Sequence, residues 1–116
     1  MFESHFIAMM CGLVLGGEPE VVHAYSVGFD LHRIRVDCET ESHVIEVGRD
    51  TRSSLDSIQQ ALFAAQLTGK EPMVVLVDTD EREGPFELRV RTVAEMVGVE
   101  YRVYGEDFLV RNLVGS

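Results

Sequence analysis

Asp37 and Glu46 are the residues of this chain best placed to do chemistry together. They lie nine positions apart, in Arg33-Ile34-Arg35-Val36-Asp37-Cys38-Glu39 and His43-Val44-Ile45-Glu46-Val47-Gly48. Each sits in a short run where β-branched or aliphatic residues alternate with polar ones, the pattern of a half-buried strand. Carboxylates on neighbouring strand ends can point at one spot. Like charges at such range need a cation, or one of them must hold a proton. A hard divalent ion such as Mg²⁺ or Mn²⁺ takes oxygen ligands and keeps several waters, so two carboxylates plus a carbonyl suffice. Such an ion activates water and stabilises a charged phosphoryl transition state. The bland alternative is an ordinary pair of solvated strand ends.

Asp78-Thr79-Asp80 is the second acidic signal, following the apolar run Met73 to Val77. With Glu46 and Gly48 it loosely resembles the DxD pattern of Toprim domains, which act on phosphate. A solvated loop explains the same residues. A calcium loop does not fit, because Arg82 and Glu83 stand where an oxygen donor and a glycine belong. His23, His32 and His43 fall on adjacent predicted strands, so a chance cluster is open. Neither a zinc spacing nor a supported Ser-His-acid motif is present. Cys11 and Cys38 are far apart and form neither a CxxC pair nor a zinc set. They read as two buried, reduced thiols of a cytoplasmic protein.

The elements that must position these groups follow from periodicity. Met1 to about Leu15 reads as a helix, with Phe2, Phe6, Met9, Met10 and Leu13 near helical spacing and Gly16-Gly17 as its stop. It contains no basic residue before its apolar run, so it reads as a buried first helix, not a leader. Val21 to Val27 and Leu31 to Cys38 read as a hairpin about Gly28-Phe29-Asp30. On the second strand Arg33, Arg35, Asp37 and Glu39 should share one face, and Ile34, Val36 and Cys38 the other. His43 to Val47 is a third strand. Gly48 to Ser53 reads as a loop rich in capping residues, opening a helix to about Thr68 with Leu55, Ile58, Leu62 and Ala65 as its apolar stripe. Met73 to Val77 reads as a strand buried on both faces. Pro85 to Val97 fits a helix closed by Gly98, although the alternation of Phe86, Leu88 and Val90 leaves a strand open there; a strand from Val99 to Tyr104 follows, then a short helix or tail over Asp107 to Val114.

At 116 residues the chain is expected to be one domain, residues 1–116. Hydrophobic residues make up 46%, which excludes a disordered chain, and no apolar run reaches a membrane span. Twenty acidic residues face ten basic ones, a net charge of -10. Phosphate neutralisation dominates nucleic-acid affinity, so this balance disfavours general nucleic-acid binding unless arginines gather locally.

The order helix, three strands, helix, strand, helix, strand resembles the PD-(D/E)xK nuclease superfamily, with Arg35-Val36-Asp37 on the second strand and Ile45-Glu46-Val47 on the third. The segment from Arg35 to Val77, with Gln60-Ala61-Leu62 in the helix, is similar to small restriction-endonuclease-like domains of bacteria and phages. The resemblance implies a mixed three-layer α/β core of order α-β-β-β-α-β-α-β. It also implies an Mg²⁺- or Mn²⁺-dependent nuclease hydrolysing phosphodiesters. Asp37 and Glu46 would hold the metal, Glu3 would join them, and Gln60 would line the site. The family's catalytic lysine, two positions after the third-strand acid, is here Gly48. Arg49 and Arg52 are close in sequence but arginine rarely acts as a base. The departure leaves a second expectation: a degenerate relative serving as a protein-interaction or assembly module. A homodimer or protein partner suits either form.

Overall fold

The computed structural model describes residues 2–49, 55–80 and 82–115, without the side chains of residues 2–4, 55, 114 and 115. Helix α1 (Phe2–Met10) runs into a π-helical turn (Cys11–Leu15) that ends at Gly16 in a left-handed conformation. Strands β1 (Glu18–Val27), β2 (Asp30–Glu39) and β3 (His43–Arg49) follow. Helix α2 (Leu55–Thr68), strand β4 (Glu71–Asp78), helix α3 (Pro85–Val97) and strand β5 (Glu100–Gly105) come next. A short α4 (Glu106–Val110) and a second π-helical turn close the chain.

The five strands form one mixed sheet in the order β1-β2-β3-β4-β5. The first two pairings are antiparallel and the last two parallel. A two-residue loop, Gly28-Phe29, joins β1 to β2, and Gly28 takes the positive φ (60°) that such a turn requires. The parallel pairs need the crossovers that α2 and α3 supply.

Strand β4 shows how the layers are built. Met73, Val75 and Val77 pack with Phe6, Met10, Cys11 and Leu109 on one face. Val74 and Leu76 pack with Ile58, Ala61, Val90 and Ala94 on the other. Helices therefore cover both faces, α1 and α4 on one side, α2 and α3 on the other. Full burial of each valine, leucine, isoleucine, phenylalanine or methionine among them stabilises the fold by roughly 1.5–3 kcal/mol.

Two expectations are corrected in detail. The buried stripe of α2 is Ile58, Ala61 and Ala64, while Leu62 is 37% exposed. The small alanines let the helix axis approach the sheet, which rotates the larger Leu62 outward. Alternation along β2 also breaks. Val36 packs with Val44 and Ala64 on the α2 side, whereas Cys38 packs with Cys11 on the α1 side. Between them, Asp37 and the facing Glu20 drop out of an otherwise continuous β1–β2 ladder. Glu20 has φ 56°, the only positive value among the described non-glycine residues.

That inversion brings Cys38 to Cys11, and the two form a disulfide with Cα atoms 5.6 Å apart. The expectation of two reduced thiols is thus overturned, and with it the cysteine argument for a cytoplasmic location. Gly17 makes room for the bridge: a Cβ there would lie 2.7 Å from the Glu39 carbonyl oxygen and 2.9 Å from Cys38 Sγ. Among the described residues no helix is long and apolar enough to cross a membrane.

Candidate functional site

The ladder between β2 and β3 is short, pairing only Cys38 with Ile45 and Glu39 with Val44. Beyond those pairs the strands part, and two backbone N–H groups lose their usual carbonyl acceptors. Carboxylates take over. The Asp37 N–H donates to Glu46 Oε2 at 3.2 Å, and the Val47 N–H donates to Asp37 Oδ2 at 2.9 Å. Each acid thus satisfies a backbone donor on the other strand, which places the two carboxyl groups within hydrogen-bonding reach of each other.

Glu46 is 5% exposed, on the α2 side of β3. Burial, followed by the charge of Asp37, pushes its carboxyl up to about 8, against the partial relief given by the Asp37 N–H. At neutral pH Glu46 holds a proton directed at Asp37. This arrangement offers a cation two oxygen-donor groups, one buried and one half-buried, like in charge and separated by a proton that a divalent ion would displace.

The other residues expected around the pair are placed as follows. Glu3 belongs to α1, and its side chain lies outside the described residues, as does Arg52. Gln60 is half-buried on α2, and no hydrogen bond joins it to Asp37 or Glu46. Gly48 and Arg49 extend β3 instead of opening a loop, and Arg49 pairs with Glu106 at 3.4 Å. Lys70, the only lysine, is held by Glu39 at 2.7 Å and the Thr40 carbonyl at 2.6 Å. It is committed to those oxygens, not to the carboxylate pair.

A second acidic group gathers where β4 ends and α3 begins. Ligand oxygens of Asp78, Asp80 and Glu87 all lie within 4.8 Å of one another. Asp78 and Asp80 follow from the DxD spacing. Glu87 is a residue that sequence reasoning missed, since an acid in the first turn of a helix looks like a dipole partner. It is buried, and its Oε1 accepts the Gly84 N–H at 2.7 Å. The Tyr101 hydroxyl lies close to it. Burial and then the charges of Glu87 and Glu83 push that phenol up to about 12.

The histidines do not converge. His23 bonds Glu39, His32 stacks on Tyr25, and His43 bridges Ser42 and Glu100. The Ser42–His43–Glu100 row has the outline of a nucleophile relay. However, the N–H groups of Ser42 and His43 both donate to Thr40 Oγ1, so they are not available to a developing oxyanion. It is a turn lock. Glu39, between Lys70 and His23, is held below the usual carboxylate range because those two partners outweigh its burial. An open cleft of about 320 Å³ adjoins it, lined by Gly17, Glu18, Val21 and Lys70 among others, and not by Asp37 or Glu46.

No family model, curated protein or solved structure matches this chain. The geometry of the carboxylates is therefore the ground for a functional reading.

Proposed function

We propose that this is a restriction-endonuclease-like domain of the PD-(D/E)xK type, in which Asp37 and Glu46 hold a divalent cation for phosphodiester hydrolysis. The observation that carries the reading is the reciprocal pair: two carboxylates brought together at the parting of two strands, one of them buried and protonated. Bound Mg²⁺ or Mn²⁺ would supply an activated water and charge stabilisation at the phosphorus. Asp37 and Glu46 would be its ligands, with Glu3 as a third and Gln60 lining the site. Gly48 stands in the lysine position, so this chain offers no ammonium there to orient the water. The expected activity is accordingly slow.

The test is degradation of single-stranded and duplex DNA and RNA with Mg²⁺ or Mn²⁺, beside calorimetric titration of the cation. Cleavage that Glu46→Ala abolishes supports the reading. Absence of both cation binding and cleavage overturns it in favour of an interaction module on the same scaffold. The convergence of Asp78, Asp80 and Glu87 favours one other reading, a phosphoryl-acting enzyme of the DxD kind. Cation binding that survives Glu46→Ala and is lost in Asp78→Asn would select it.

A further inference from the structure

The β1–β2 hairpin leaves the body of the sheet at Asp37. From Asp30 to Asp37, β2 has no ladder partner on its β3 side. One face of this arm is packed: Tyr25 meets Phe63 of α2 edge-on at 4.9 Å, and Val36 lies against Ala64. The other face carries Val22 across from Arg35, Ala24 across from Arg33, and Ser26 across from Leu31. All six are exposed, and Phe29 at the tip is fully so.

Arg33 and Arg35 stand about 7 Å apart on that open face, two steps of strand rise. Among the described residues neither makes an ion pair or hydrogen bond. Most other described cations are engaged: Arg49, Lys70, Arg91 and Arg102 each pair with a glutamate, and Arg89 lies over Phe86. Arg82 stands singly in the β4–α3 loop and Arg111 singly in the second π-helical turn. Two adjacent, unengaged guanidinium groups are thus the local arginine patch in a chain whose net charge is -10. Along β2 Arg33 and Arg35 advance in a two-residue step on the side of the sheet away from α2.

We infer that the open face of the β1–β2 arm seats the sugar–phosphate backbone of a single-stranded nucleic acid, with Arg33 and Arg35 on successive phosphates and Phe29 stacking on a base. The inference takes only the class of its ligand from the proposed phosphodiester chemistry, because Glu46 is buried on the α2 side of the sheet, away from Arg33 and Arg35. Guanidinium forks match phosphate oxygens in pairs. A cationic track with an exposed aromatic beside it is the usual equipment for single strands, whose unstacked bases need a ring to lie on. An acidic peptide would use the arginines but has no bases to lie on Phe29.

The experiment is fluorescence anisotropy of the full chain with labelled single-stranded DNA and RNA over a salt series, in EDTA so that no cleavage occurs. The unaltered chain should bind at low salt. R33A/R35A should bind more weakly, and the slope of log K against log salt should fall by about 1.4, or ~0.7 for each lost phosphate contact. R33K/R35K should keep most of the slope, and F29A should bind roughly tenfold more weakly. No binding by the unaltered chain, or an unchanged slope in R33A/R35A, overturns the inference. So does tighter binding of duplex than of single strand, or competition by polyglutamate as effective as by polyuridylate. If cation binding and cleavage both fail while R33A/R35A still loses the oligonucleotide, the arm stands and the hydrolytic reading falls.

Discussion

Glu46→Gln is the sharpest perturbation of the carboxylate pair. In the folded chain the Glu46 carboxyl is raised from 4.5 to about 8. Between those values the unfolded chain has released the proton and the folded chain keeps it. Stability linked to Glu46 is therefore fully present below pH 4.5 and lost as pH rises towards 8. Each unit is worth about 1.4 kcal/mol, so the loss by pH 8 is on the order of 4–5 kcal/mol. Domains of this size are stable by about 5–15 kcal/mol, which makes the effect a large fraction of the whole. A glutamine at 46 can accept the Asp37 N–H through its carbonyl and donate to Asp37 through its amide, as the protonated acid does. Urea unfolding from pH 5 to 8 should show falling stability for the unaltered chain and a nearly flat profile for Glu46→Gln, with the curves crossing so that the variant is the more stable at pH 8. Saturating Mg²⁺ should restore stability to the unaltered chain at pH 8 and leave Glu46→Gln unmoved. A flat profile for the unaltered chain, or an equal slope in Glu46→Gln, would refute the buried-proton account.

Two further outcomes test the frame around the pair. Replacing Cys11 and Cys38 by serine opens a covalent link across a sequence separation of 27; loop-closure entropy predicts a loss of about 3.5 kcal/mol, and reducing agent should lower the denaturation midpoint of the unaltered chain but not of the double variant. Gly17→Ala puts a methyl group 2.7 Å from a backbone oxygen, and overpacking of this kind costs about 1–3 kcal/mol, to be read as a lower melting temperature.

The strands and helices were legible because their signals are local. The continuous apolar run at Met73 to Val77 could only be a strand covered on both sides, and β4 is that strand. Pro85 and Gly98 bracket α3 in the positions where proline and glycine bracket helices. What stayed hidden depends on contacts between distant elements. Period-two alternation puts Cys38 on the same side as Val36, facing away from Cys11. Only the break at Asp37 and Glu20 turns it towards α1. No pattern within β2 announces that break. The stripe of α2 was misassigned for a related reason. Hydrophobicity favours leucine over alanine as a core residue, whereas close helix–sheet approach favours alanine, and that approach is a property of the pair of surfaces.

The carboxylate pair was legible as a convergence but not as a strap. A spacing of nine shows that Asp37 and Glu46 can meet; it does not show that each holds the other's strand by a backbone donor. That second role raises a choice between structure and chemistry. Two N–H groups at a parting ladder need acceptors, and an amide or a carbonyl serves without adding charge. A carboxylate in the same place adds desolvation and repulsion, which is why Glu46 keeps its proton at neutral pH. The fold needs an oxygen at position 46; it does not need an acid. Under the proposed function, what would pair with the charge of that acid is a divalent cation, which takes hard oxygen donors. A Glu46→Gln variant that cannot fold would make the charge itself a structural requirement, whereas a variant that is stable, folded and unresponsive to Mg²⁺ is the outcome expected if the acid serves a cation.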